Sequence, residues 1–417
     1  MLIQIEIGEG IAMDPLDVLT NLDKVIPNYQ AIYSADEQRI IGYEVLGRIK
    51  LNDEIESLGE FFQDENIPDE YRIEVDDSIL HMAIDEFLEL KESHLLLFVN
   101  RDANLLMLDH GESFLDILLE KQEKGLELNQ IVLEITEHNF RGDIEQLYHL
   151  LLYYRTYGIK VAIDNIGKAS SNLDRIGLLS PEILKIDLQP LRLSSPSQSY
   201  YDVLYSISLL ARKIGATLLY EDIEVNFQLQ YAWKNGGRYY QGFYLNKPQR
   251  EFTKIDDSKD MLKHEFQTYI HSEKKKLEKL YLFTENFNQR VQQILQKVGK
   301  QFDDYQDLLQ QLSKHLDDCS FRIYICDEDG FQQSVNIFKQ ENWEIQPQYY
   351  LNNWSWRPYF LANIMRMRFD QKGFLSDVYS DIETGELIRT FSFPLNQNHY
   401  LFIDLSYDYL YEEEGLL

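Results

Sequence analysis

Ile131-Val132-Leu133-Glu134, then Asp143 to Tyr157, then Val161-Ala162-Ile163-Asp164-Asn165 form one repeating unit of this chain. Each short apolar run is long enough for a buried strand, and the segment between them carries apolar residues at helical spacing. The same alternation extends outward on both sides. Leu95 to Val99, Ile183 to Leu184 and Thr217 to Tyr220 are further buried-strand runs, and Ser113 to Gly125 is a further helical segment. Strand and helix alternating over about 250 residues describe an α/β barrel or a doubly wound parallel sheet. The start differs: Asn28 to Tyr33 and Ile40 to Arg48 flank the polar turn Ser34 to Gln38, which predicts a β-hairpin.

Each of these runs stops at a polar residue. Leu95 to Val99 ends in Asn100, Ile131 to Leu133 in Glu134, and Val161 to Ile163 in Asp164 and Asn165. Leu184 is followed by Lys185, Tyr220 by Glu221 and Tyr240 by Gln241, while the hairpin strand carries Glu44. Strands often end in polar residues, so any one of these positions is unremarked alone. In a (β/α)₈ barrel, however, the carboxyl ends of all strands meet at one mouth, where active sites are built. Carboxylates gathered there repel and raise one another's pKa, a cost that a divalent cation removes. Oxygen-only donors favour Mg²⁺ or Mn²⁺ over zinc, and the nine histidines show no paired metal-binding spacing.

The charge sets limits. Forty Lys and Arg against seventy Asp and Glu give a net charge of −30, which opposes wrapping a nucleic-acid polymer or docking on anionic lipid. Hydrophobic residues at 44% and aromatics at 13% supply sizeable cores and exclude global disorder. The two cysteines, Cys319 and Cys326, make no disulfide framework, and their odd separation places them on opposite faces of a strand. Met1 to Gly10 carries Glu6 and Glu9 where a signal peptide is basic, and no window reaches the roughly 20 apolar residues of a membrane span. A cytoplasmic location is the expectation.

Around residue 250 the pattern changes. From Asp257 to Leu316, apolar residues including Leu277, Leu280, Phe287, Val291, Ile294 and Val298 recur at steps of three and four, predicting a long helical stretch that Gly299 can split. It reads either as a connector or as a dimerising, signal-transmitting helix. Beyond it, Phe321 to Cys326 and Gln332 to Phe338 form a second hairpin, followed by a helix within Arg357 to Met367. Gly373 to Tyr379, Leu387 to Pro394 and Tyr400 to Leu405 complete one antiparallel sheet. The expected organisation is a barrel over 1–256, a helical linker over 257–316 and an α+β domain over 317–417.

Tyr43-Glu44-Val45-Leu46-Gly47-Arg48 resembles the signature of EAL domains, bacterial phosphodiesterases that linearise cyclic di-GMP. Phe98-Val99-Asn100, Leu133-Glu134-Ile135-Thr136-Glu137, Ala162-Ile163-Asp164-Asn165, Leu184-Lys185-Ile186-Asp187, Glu221-Asp222-Ile223-Glu224 and Tyr240-Gln241-Gly242-Phe243 with Pro248 follow in the family's order. The resemblance spans Asp14 to Arg250 and sets the doubly wound sheet aside, because the family is a TIM-like barrel with one strand antiparallel to the rest. It implies that Glu44, Asn100, Glu134 and Asp164 hold a first metal, Mg²⁺ or Mn²⁺, with Ca²⁺ as a non-productive occupant. Glu221, with Lys185 beside it, would take or orient the attacking water's proton. Arg48 would contact ligand phosphate, with Gln30, Leu46, Asp187, Glu224 and Gln241 in the ligand-binding set. Glu137 would anchor the loop that follows the aspartate strand. The family also implies a homodimer.

The chain departs from the family where it counts. Asn165 replaces the second of two adjacent aspartates, which removes a hard-cation ligand and degrades the second metal position. The following loop, usually Phe-Gly-Thr-Gly-Tyr-Ser-Ser, reads Ile166-Gly167-Lys168-Ala169-Ser170-Ser171-Asn172. The expectation is a barrel that binds cyclic di-GMP with a divalent ion and hydrolyses it slowly or not at all, acting as a receptor for an unknown downstream protein. The alternative is an active phosphodiesterase giving linear pGpG under control of the C-terminal domain. No Gly-Gly-Asp-Glu-Phe cyclase motif is present. From Ser320 on, Trp356-Arg357-Pro358-Tyr359-Phe360 and Asp377-Val378-Tyr379 resemble PAS-like or Cache-like sensory folds. That likeness makes Trp354, Trp356, Arg357, Tyr359 and Asp377 candidates for holding an unknown small ligand; core tryptophans and an ion-paired Arg357 are the plain alternative.

Overall fold

The computed structural model describes residues 15–51, 54–136, 139–166, 173–192, 198–298, 304–357 and 360–413. Glu137, most of the diverged loop (167–172), Gly299, Pro358 and Tyr359 lie outside the described residues. The chain divides into two compact units, Met1–Thr268 and Tyr269–Leu417.

The first unit is built on strands β1 (Val25–Ser34), β2 (Ile40–Leu51), β3 (Glu54–Ser57), β4 (Leu96–Asn100), β5 (Ile131–Ile135), β6 (Lys160–Ile166), β7 (Ile183–Asp187), β8 (Thr217–Glu221) and β9 (Tyr239–Tyr240). They run in the order β1-β9-β8-β7-β6-β5-β4-β2, and β1 pairs back to β2, so eight strands close a barrel with β3 as an arm on β2. β1 is antiparallel to both neighbours, and the remaining barrel pairings are parallel. The barrel with one reversed strand is therefore as expected. The hairpin of β1 and β2 explains the reversal, because a tight turn can only join antiparallel strands, whereas each later parallel step needs a helical crossover.

The crossover between β5 and β6 shows how sequence sets an element. Asp143 caps helix Ile144–Thr156 by accepting from the Glu145 amide at 2.9 Å. Leu147, Leu150, Leu151 and Tyr154, spaced by three and four, are buried on one face. The helix stops before Gly158, whose φ of +89° suits a residue without Cβ.

Inside the barrel, Ile32, Ile41, Phe98, Val132, Ala162, Ile183 and Leu219 form an apolar layer, with Leu96 and Tyr239 against it. Strand side chains repeat every two residues. Two steps on from Phe98, Val132, Ala162, Ile183, Leu219 and Tyr239 stand Asn100, Glu134, Asp164, Lys185, Glu221 and Gln241. The polar strand ends are thus the next inward-facing layer above the core.

In the second unit, strands Trp343–Gln346, Asn336–Lys339, Ser320–Asp327, His399–Leu405, Leu387–Pro394 and Phe374–Leu375 form an antiparallel sheet in that order, with Tyr379–Ser380 also paired to Leu387–Pro394. The expected strand Gly373 to Tyr379 is two short pieces. Between them Ser376 turns its hydroxyl to the Thr390 amide at 2.9 Å, and its own amide bonds the Thr390 carbonyl. Helices Lys259–Val298 and Tyr305–His315 occupy the predicted helical stretch. Phe287, Val291, Ile294 and Val298 join Leu308, Leu309, Leu312 and Cys319 on one face of the sheet. Helix Phe360–Asp370 packs Phe360, Ile364 and Met367 with Tyr324, Cys326 and Phe402 on the other. Cys319 and Cys326 are free, buried, and in separate cores as their odd spacing requires. No described helix is long and apolar enough to cross a membrane.

Candidate functional site

The barrel mouth gathers four carboxylates around one ammonium. Lys185 Nζ, 1% exposed, lies 2.9 Å from Glu134, 3.2 Å from Glu221, 3.4 Å from Glu44 and 3.5 Å from Asp164. Glu44 accepts from Asn100 Nδ2 at 2.8 Å and Gln241 Nε2 at 2.5 Å, and Gln241 also donates to Gln30 Oε1 at 3.1 Å. Gln30 faces Glu44 directly across the β1–β2 pair. Seven strands and the segment after β9 therefore contribute one continuous polar ring.

Its electrostatics are unbalanced. Burial pushes the carboxyls of Glu134 and Glu221 well above the usual range, and their carboxylate neighbours push further than Lys185 pulls back. Burial also raises Glu44, but Lys185 together with hydrogen bonds from Gln241 and Asn100 outweighs it and holds that group low. Burial would lower Lys185, yet Asp164, Glu134, Glu44 and Glu221 reverse the sign and keep it firmly charged. With all four acids ionised the set carries three uncompensated negative charges, a cost the ammonium alone does not remove.

Do these residues fit a divalent cation? Their chemistry does: carboxylates and amides are the hard oxygen donors such ions take. Glu134 Oε1, Asp164 Oδ1 and Gln241 Oε1 are buried and accept no well-directed hydrogen bond, so lone pairs are left over. Among the described residues the acids converge on Lys185 rather than on an open point, and no group of three makes a ready metal cluster. The donor set fits in kind, with Lys185 holding the middle.

A cleft of about 610 Å³ opens over this ring. Glu44, Leu46, Arg48, Asn100, Glu134, Asp164 and Asn165 line it. Lys185, Glu221, Gln30 and Gln241 stand behind these as partners. Arg48 donates to the Gly47 carbonyl at 2.8 Å. Asp187 lies level with Glu221 and accepts from the Gln189 amide, while Glu224 pairs with Arg192 at 2.5 Å; neither lines the cleft. Asn165 takes a left-handed φ of +59° and donates from Nδ2 to Asp164 Oδ2 at 2.6 Å. Asp76, Arg101 and Ser57 also line the cleft, and sequence reasoning missed all three.

In the second unit, Trp354 is half-buried and donates to Gln332 at 3.0 Å, with the Arg357 guanidinium 4.6 Å over its ring. Trp356, at 63% exposed, is no core residue.

A model of the EAL domain matches residues 16–248. The chain belongs to the EAL-domain family. A model of an EAL-domain associated signalling protein domain matches residues 252–417. The EAL-domain containing protein YkuI of Bacillus subtilis is 63% identical over 97% of this EAL chain and all of its own length. A crystal structure of that protein, in complex with substrate c-di-GMP and calcium, matches with a TM-score of 0.93, at 62% identity over 97% of this chain and 100% of that one. The cyclic di-GMP phosphodiesterase NbdA of Pseudomonas aeruginosa is 27% identical over 30% of this chain and 16% of its own. An EAL domain protein from Listeria monocytogenes shares the fold alone, with a TM-score of 0.50 and 22% identity over 57% of this chain and 94% of its own.

Proposed function

We propose that the barrel binds cyclic di-GMP with a divalent cation at its mouth and turns it over slowly or not at all, acting as a receptor. The observation that carries this reading is the buried ring of four carboxylates sharing one lysine beneath an open cleft. The relative crystallised with c-di-GMP and calcium supports the ligand and the kind of ion. Glu44, Asn100, Glu134 and Asp164 would hold the cation, which when bound polarises a phosphate and lowers the pKa of water. Glu221, its carboxyl pushed up by burial, suits a proton acceptor oriented by Lys185. Arg48, on the cleft wall, would meet a phosphate.

Asn165 argues for slow chemistry. A carboxylate there would add a ligand for a second cation, whereas the amide only donates to Asp164 Oδ2. In two-metal hydrolysis both attacking and leaving oxygens need stabilising, and losing about 4 kcal/mol of that costs roughly a thousandfold in rate. The second unit, matched by the signalling-domain model, would pass occupancy on to a partner. Calorimetric titration with cyclic di-GMP, with and without Mn²⁺, tests the reading, paired with a turnover assay. Cation-dependent binding lost in Glu44→Ala, with little linear product, is expected. No binding would refute the reading, and ordinary turnover abolished by Glu44→Ala would show an active phosphodiesterase.

A further inference from the structure

A second cleft, of about 400 Å³, lies at the end of the barrel opposite the mouth. Its walls are the C-terminal half of helix Gln198–Ile214, the first residues of β8, and the turn that joins helix Asn226–Lys234 to β9. Thr217 at this cleft and Glu221 at the mouth are the two ends of β8, about 13 Å of strand apart. Arg212, Lys234 and Arg238 line the cleft, and no described Asp or Glu does. Acids outnumber cations seventy to forty along the chain, so composition favours the reverse. Among the described residues Arg212 meets no carboxylate. Arg238 gives one of its five donors away, Nε to Asp36 Oδ2 at 2.7 Å. The frame beneath is fixed: Asn235 Nδ2 donates to the Tyr231 carbonyl at 2.8 Å, and the Arg238 amide to the Leu218 carbonyl at 3.0 Å. Leu209, Leu218 and the half-exposed Tyr205 ring supply apolar wall.

We propose that this cleft binds a small organic anion, a phosphate or carboxylate head on an apolar or aromatic body. Arg212 and Lys234 take the head, and Tyr205 and Leu209 the body. Helix dipoles explain only part of the arrangement. Arg212 and Lys234 stand in the last turns of their helices, where a cation answers the carbonyl end. That role needs each beside its own helix; it does not bring them onto one concave surface, and Arg238 is in no helix. A volume of about 400 Å³ suits a small molecule. The surrounding acidic surface is screened beyond about 8–10 Å in physiological salt, so the local cations decide. The site is separate from the mouth and stands whether or not the barrel holds cyclic di-GMP.

The test titrates the full chain in EDTA, which removes any cation at the mouth, with phenyl phosphate, inorganic phosphate and phenol. Phenyl phosphate should bind saturably, at least tenfold tighter than either fragment, and weaken as salt is added. Arg212→Gln and Lys234→Gln should each lower its affinity about tenfold or more. Arg212→Lys, which keeps the charge, should retain most of it, and thermal midpoints reported alongside separate loss of the site from loss of the fold. Arg48→Gln, at the mouth, should leave the titration unchanged. No saturable binding would overturn the proposal, as would binding that survives both glutamine variants or falls in Arg48→Gln. Inorganic phosphate binding as tightly as phenyl phosphate would also overturn it, because the apolar wall would then contribute nothing.

Discussion

Asn165 shows how much one atom pair decides. Its left-handed backbone is one that both Asn and Asp tolerate, so Asn165→Asp preserves the chain path while exchanging an amide donor for a second carboxylate beside Asp164. Hydrolysis of cyclic di-GMP in Mn²⁺ should rise by tenfold or more in this variant (about 1.4 kcal/mol), read as linear product per unit time. No gain would move the defect to the diverged loop. Glu134 and Glu221 carry a second prediction. Their folded pKa values are raised, so they retain protons at pH values where free glutamate is ionised, and a cation must displace them. Mn²⁺ affinity should therefore increase as pH rises from 5 to 8. Titrations in buffers of different ionisation enthalpy should show proton release that diminishes toward the upper end. At this scale the sequence was legible where strand period fixed direction. Glu44, Asn100, Glu134, Asp164, Lys185 and Glu221 all come together. Arg101 was not legible, because a charged residue just past a strand end reads as solvated. Its burial is set by Asp76 and Asp77, on a helix 25 and 24 residues earlier.

Among the elements, the turn after β9 is the tightest constraint on the site. Gly242 has φ +150°, and a Cβ there would overlap the Ile223 backbone, whose N–H donates to the Gln241 carbonyl and whose carbonyl accepts from the Tyr244 amide. Gly242→Ala should cost about 2 kcal/mol or more. It should also weaken nucleotide binding by displacing Gln241 from Glu44, with a lowered thermal midpoint and a raised Kd measured together. Unchanged values for both would show that the turn is looser than described. Strand and helix order was readable from short apolar runs because each parallel strand is buried on both faces. The break in the strand predicted at Gly373 to Tyr379 was not readable, since it depends on Ser376 bonding Thr390 on a neighbouring strand.

At the scale of the molecule, each unit holds its own apolar core, and the second adds a buried ion cluster. Arg322 meets Asp381 through two hydrogen bonds of 3.1 and 2.6 Å and Asp404 at 3.2 Å. Burial pushes the Asp381 carboxyl up, but Arg322 and Thr384 outweigh it, so its folded pKa lies below the ordinary value. Its stabilisation is then complete above about pH 4 and is lost as pH falls through the folded value. Asp381→Asn should cost about 3 kcal/mol at neutral pH. Its unfolding is best followed by tryptophan fluorescence, since Trp343, Trp354 and Trp356, three of the four tryptophans, lie in that unit. An unshifted midpoint would show that Asp404 alone suffices. The lysine at the barrel mouth carries a different lesson. Because Lys185 is tethered by its own backbone among the acids, the barrel brings its counterion with it when it folds. Assembly of the chain is thereby uncoupled from the cell's supply of free ions. Exhaustive chelation should leave the chain folded, with a cooperative though lowered melt, while silencing nucleotide capture, the opposite of a zinc finger, which collapses when stripped.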